Sequence, residues 1–123
     1  MFTSILHSSV IIANTEKSLD FYHKILGLEV DHSRPDLGYP GAWLNIGNQQ
    51  IHLLEVPNPD PIDKRPTHGG RDRHTAIATS DFDKLVNTLE QHGVAFTLSR
   101  SGRKAVFCRD PDGNTLEFIA NSD

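Results

Sequence analysis

The stretch Asp110-Pro111-Asp112-Gly113-Asn114-Thr115-Leu116-Glu117 reads as a tight turn running directly into a strand. The same arrangement stands earlier as Gly47-Asn48-Gln49-Gln50-Ile51-His52, with Gly47-Asn48 falling on Gly113-Asn114 at an offset of 66. Working outward, His52 falls on Glu117 at an offset of 65, Gly27 on Gly93 at 66, and His7 on His74 at 67. Four landmarks in order, drifting by one or two residues, indicate a duplicated unit.

Each half has the same coarse grammar. Residues 5–12 and 74–79 carry short strand patterns, each followed by a helical pattern with a capping residue: Asn14 or Thr15 in the first half, Ser80 in the second. Ser80 with Asp83 resembles a capping box. Leu19, Tyr22, Ile25 and Leu26 form one apolar helical stripe, and Phe82, Leu85, Val86 and Leu89 form the other. Gly27 and Gly93 follow at left-handed helix ends, and runs rich in β-formers come next. The expectation is an α+β fold of two tandem β-α-β-β-β modules forming a cupped mixed sheet. A single domain over residues 1–123 would hold module 1 at about 4–56, a linker or site-edge loop at 57–73, and module 2 at about 74–120.

Composition narrows the function. Among 123 residues, 12 Lys+Arg against 16 Asp+Glu give a formal charge of -4, which provides no general attraction to nucleic acid or an anionic membrane. No apolar run approaches the ~20 residues that span a bilayer, and Met1-Phe2-Thr3-Ser4 lacks signal-peptide character, so a cytoplasmic protein is expected. The one cysteine, Cys108, forms no internal disulfide and reads as a small buried strand residue. The informative excess is seven histidines.

Strand parity collects ligand-type side chains. His7 shares a face with Ile5 and Ser9, His52 with Gln50 and Leu54, His74 with Ala76, and Glu117 with Thr115 and Ile119. Their apolar neighbours, such as Ile51, Leu53, Leu116 and Phe118, take the opposite face, toward the helices. Any one of these histidines alone would read as a satisfied strand residue. The duplication pairs His7 with His74 and His52 with Glu117, and units related by a pseudo-twofold axis would let all four converge. Three imidazoles and a carboxylate suit one divalent ion, with Zn or Ni favoured and Fe, Co or Mn compatible.

Together with Ser18-Leu19-Asp20-Phe21-Tyr22, Leu26-Gly27-Leu28 and His74-Thr75-Ala76-Ile77-Ala78, the terminal motif resembles the vicinal-oxygen-chelate superfamily of glyoxalase I, bleomycin-resistance proteins and extradiol dioxygenases. The resemblance runs from about His7 to Ile119. It implies paired modules around one divalent metal, often across a dimer, with His7, His74 and Glu117 at shared ligand positions. His52 matches the more variable fourth position, where glyoxalase I commonly has Glu and methylmalonyl-CoA epimerase Gln. The glyoxalase reaction it implies removes a proton beside a carbonyl, forms an enediolate on the metal, and returns the proton to the next carbon. Glu117 is the candidate base; Glu55 is a rival placed on the opposite strand face from His52.

Around the site, Trp43, Asn45, Arg71, Ser101 and Arg103 are the candidate substrate-binding residues, the arginines suiting an anionic small molecule such as a glutathione adduct. His68 is expected to line the entrance. The favoured reading is a metal-dependent lyase or isomerase, working as a homodimer because each module carries half of the ligand set. An Fe(II)-dependent dioxygenase and a ligand-sequestering protein are the alternatives.

Overall fold

The computed structural model describes residues 1–121 and divides the chain into two units, the second beginning at Pro61. In the first, β1 (His7–Ile12) leads to α1 (Thr15–Leu19), which widens into π-type turns over Asp20–Ile25, then to β2 (Glu29–Val30), β3 (Gly41–Ile46) and β4 (Gln49–Glu55). The second repeats the order with β5 (His74–Thr79), α2 (Phe82–Gln91), β6 (Phe96–Leu98), β7 (Ala105–Arg109) and β8 (Thr115–Ala120). Each unit is therefore the expected β-α-β-β-β module around a four-stranded mixed sheet, ordered β1-β4-β3-β2 in one and β5-β8-β7-β6 in the other.

The helix ends follow from local chemistry. Asn14 Oδ1 accepts the Lys17 N–H at 2.9 Å and starts α1. In the second unit the cap is Asp81 rather than the expected Ser80: its Oδ1 accepts the Lys84 N–H at 3.1 Å. A carboxylate one residue closer to the helix also faces the positive end of its dipole. At the far end Gly93, at φ 66°, lets the Val94 N–H reach Leu89 O at 2.9 Å and its own N–H reach Glu90 O at 3.1 Å, a Schellman closure. The π turns put adjacent Phe21 and Tyr22 into the core together, edge to face at 5.0 Å, although the sequence stripe contained only Tyr22.

Strand alternation puts the core on the helix-facing side. Leu44, Ile51 and Leu53 are buried in the first unit, as are Val106, Cys108, Leu116 and Phe118 in the second. Burial, reinforced by the charge of Asp110, pushes the Cys108 thiol up to about 12, so it is inert. Registers repeat as well. Across the parallel pairs Ser9 lies opposite His52 and Ala76 opposite Glu117, each two residues beyond the first-strand histidine. No helix among the described residues is long and apolar enough to cross a membrane.

Candidate functional site

In the first unit, His52 is the middle layer of an aromatic stack. His7 lies on one side, centroids 3.9 Å apart and planes 12° from parallel; Trp43 lies on the other, at 4.4 Å and 8°. The stack follows from register, since Trp43 pairs directly with His52 across β3 and β4. An open groove of about 500 Å³ is lined by Leu6, His7, Trp43, Asn45, Gln50 and His52.

A polar chain fixes the His52 ring. Asn45 Nδ2 donates to Glu29 Oε1 at 2.9 Å, and Gln50 Nε2 donates to Asp31 Oδ2 at 2.8 Å and Asn45 Oδ1 at 2.9 Å. Carboxylates only accept, so both amides turn their NH₂ groups toward them, leaving Gln50 Oε1 as an acceptor. That oxygen lies 2.8 Å from His52 Nε2, which therefore carries the proton. Burial, then the charges of His7 and Arg34, push His52 below the ordinary histidine range, against a smaller upward pull from Asp31. His52 is held neutral, with its lone pair on Nδ1.

In the second unit, Glu117 is 3% exposed and held from two sides. Arg103 Nη2 lies 3.1 Å from Oε2, and His74 Nε2 lies 3.2 Å from Oε1. His74 Nδ1 is 2.9 Å from the carbonyl oxygen of Asp72, so Nδ1 donates there. With Nδ1 so committed, Nε2 is left facing a carboxylate oxygen, and a cation could be ligated by both. This donor pair fits a divalent metal. Neither unit by itself brings three or more His, Cys, Asp or Glu together among the described residues; each supplies two of the four candidate ligands.

Arg109, absent from the sequence expectations, supports that arrangement. It donates to Asp72 Oδ2 (2.8 Å), Gly113 O (2.8 Å), Thr115 Oγ1 (2.6 Å) and Pro66 O (2.6 Å), pinning the Asp72 backbone where it meets His74. The end of the 57–73 stretch is thus folded against its unit's sheet. Gly69 is required there, because a Cβ would meet Thr115 Cγ2 at 2.6 Å. His68 is 9% exposed, with Nδ1 2.9 Å from Thr97 Oγ1 and its ring edge-to-face with Phe107 at 5.0 Å. A cavity of about 310 Å³ is lined by Thr67, Phe96, Thr97, Phe107, Arg109 and Thr115.

The remaining candidates fall in different places. Asn45 spends its amide on Glu29 and Gln50, and Arg103 is directed by Ser101 Oγ, 3.3 Å from its Nε, onto Glu117. Arg71 is exposed at the end of the 3₁₀ turn Gly69–Arg71. Glu55 Oε1 accepts from Thr15 N at 2.8 Å and Thr15 Oγ1 at 3.1 Å; it anchors the start of α1. The missed Gln50 shares the face of His52, and Arg109, two residues from Phe107 in β7, shares the face of Glu117, so parity carried a signal for both.

This duplicated β-α-β-β-β module matches a known class. The sequence profile of the Glyoxalase/Bleomycin resistance protein/Dioxygenase superfamily matches residues 4–118, and the chain belongs to that superfamily. It is 33% identical to "Glyoxylase I 4" of Arabidopsis thaliana, over 98% of this chain and 72% of that protein. It is 30% identical to the glutathione transferase FosA of Serratia marcescens, over 99% and 84%. The crystal structure of a glyoxalase family protein from Bacillus anthracis superimposes with a TM-score of 0.81 at 26% identity, covering 99% of this chain and 98% of that one.

Proposed function

We propose that this chain is a divalent-metal-dependent lyase or isomerase of glyoxalase type, acting on a small anionic oxygen-chelating substrate, a glutathione hemithioacetal being the leading candidate. The observation that carries the reading is the repeated register, which puts His7 with His52 and His74 with Glu117 at equivalent positions. Two relatives whose names refer to glyoxalase I and to glutathione transfer support the thiol adduct.

His7, His52, His74 and Glu117 would hold the ion, with His52 offering Nδ1. A bound divalent ion of this kind polarises neighbouring carbonyl and hydroxyl oxygens and stabilises negative charge developing on them. Glu117 takes the proton from the carbon beside the carbonyl and returns it to the next carbon. Its Oε2, facing the exposed Arg103, is the oxygen free to do so once Arg103 swings aside; Ser101 guides that arginine back. Trp43 supplies a flat apolar wall, and Arg71 and Arg103 supply positive charge at the rim. A complete centre needs both kinds of half-site, and a homodimer provides two of each.

The test measures metal content without chelator, then thioester formation from methylglyoxal and glutathione, alongside oxygen uptake with Fe(II) and catechols. About one divalent ion per chain is expected, lost in His7→Ala and His74→Ala. Glu117→Gln should retain measurable metal without turnover. Oxygen-dependent ring opening without thioester would overturn this reading in favour of the dioxygenase, and metal-independent ligand binding without turnover in favour of a sequestering protein.

A further inference from the structure

Arg34 sits between β2 and β3, in a stretch that begins against the sheet with the Asp31 N–H on Trp43 O at 2.8 Å. Its Nη2 donates to Tyr39 O at 2.9 Å, and its guanidinium lies over the Tyr39 ring at 5.3 Å. The same Nη2 lies 3.2 Å from where a Cβ on Gly41 would stand. Gly41 and Trp43 are two residues apart in β3 and share a face; Gly41 pairs with Leu54, and Trp43 with His52. The guanidinium therefore lies beside Gly41, two residues along β3 from Trp43, the cross-strand partner of His52.

Its bonding is incomplete. Arg65, Arg103 and Arg109 each meet a carboxylate, whereas Arg34 has only the Tyr39 carbonyl among the described residues. Its Nε is sealed from solvent and meets no acceptor. With its Nε out of reach, the half-buried guanidinium offers its remaining Nη hydrogens, which meet no carboxylate among the described residues, to an arriving oxyanion. Tyr39 and the Tyr39 carbonyl hold the fork in place beforehand, lowering the ordering cost of binding.

We propose that Arg34 is the anchor for the anionic group of the substrate, receiving a carboxylate or phosphoryl oxygen beside His52. This deepens the functional reading above by naming the residue that selects the charge of the substrate. The exposed arginines of the rim, Arg71 and Arg103, are secondary to it. Because Arg34 approaches from the first unit while Glu117 lies in the second, anion anchoring and proton transfer are separable by mutation.

The experiment uses the full chain, as purified and after dialysis against chelator, so that a metal cannot serve as the anion's ligand. Inorganic phosphate, acetate and neutral acetamide are titrated, reading the emission of Trp43, the only tryptophan, and the ¹⁵N resonance of Arg34 Nε. Phosphate and acetate should move both signals and acetamide neither. Arg34→Gln should weaken phosphate about 10- to 100-fold, the loss expected for a charge-assisted bond, with Arg34→Lys between. Metal content should be unchanged in both variants. An Arg34 resonance indifferent to saturating phosphate, equal response to acetamide, or wild-type phosphate affinity in Arg34→Gln overturns the assignment. A wild-type chain that binds phosphate through Arg34 but holds no metal would sink the proposed enzyme function and leave this inference standing.

Discussion

Arg109→Met tests whether the second half-site is built from its supports inward. The substitution keeps an unbranched stem and removes the fork that holds Asp72, Gly113, Thr115 and Pro66. Asp72 is left with the Arg73 N–H at 2.8 Å and the longer Arg65 contact at 3.4 Å, its side chain only 9% exposed. Breaking a fully buried pair costs about 3–5 kcal/mol, and an exposed one about 0–1. With Arg109 26% exposed and Asp72 keeping two partners, a loss of about 2–3 kcal/mol is expected. That corresponds to a Tm lower by about 10 °C for a chain of this size.

The same change releases the Asp72 carbonyl from its fixed position against His74 Nδ1, and metal affinity should fall about 10- to 100-fold although no candidate ligand is altered. Burial works against the Asp72 charge, yet the bond from Arg109, the Arg73 N–H, and the charges of Arg65 and Arg109 outweigh it and hold its carboxyl below the ordinary value. Its contribution is therefore full above the unfolded value of 3.8 and is lost as pH falls through the lower folded value. Urea unfolding at pH 7 and below pH 3.8, with zinc competition titration at neutral pH, checks both parts. Wild-type stability at pH 7, a stability gap undiminished in acid, or a destabilised variant with unchanged zinc affinity would refute the reasoning.

Glu55→Ala should cost about 1–2 kcal/mol, the loss expected when a helix start loses its acceptor, with metal content and turnover unchanged; thermal melting and metal analysis decide it. His52→Phe keeps a flat ring in the stack and removes the titration. Because folded His52 is held below 6.5, the unfolded chain binds the extra proton first, so metal-free wild type should lose stability as pH falls from about 6.5 through the lower folded value. Urea midpoints at pH 7.5 and 5.5 should show a smaller acid penalty in the variant.

The repeat was legible because its landmarks are backbone requirements. Gly27, Gly47, Gly93 and Gly113 all have φ between 56° and 84°, where a side chain is disfavoured, so the spacing of glycines recorded the spacing of turns. Strand parity likewise assigned His7, His52, His74 and Glu117 to faces, since alternation is fixed by the pleat. Partner choice was not legible. Arg103 and Asn45 were both read as substrate-binding residues, and spacing alone did not name the protein partners they also have, Glu117 for the first and Glu29 with Gln50 for the second. A pattern of period two says which side a group is on, but long side chains from separate segments choose among several acceptors there. Ser80 and Asp81 are both capping residues, so a one-residue error in the helix start cost the sequence nothing.

The same partner logic accounts for His52 standing where Glu117 stands in the other unit. Gln50 has one amide, and its NH₂ is committed to Asp31 and Asn45, so its oxygen requires a donor at position 52. A carboxylate there would oppose that oxygen, and turning the amide over would strand the Asp31 and Asn45 acceptors instead. His52 supplies the N–H and still offers a second nitrogen, whereas Glu117 meets donors from Arg103 and needs none of its own. The two half-sites can therefore share one backbone register while differing in donor set: a stacked imidazole pair in the first unit, and a buried carboxylate with its cationic clamp in the second. Changing His52 to Glu without also changing Gln50 would break this complementarity.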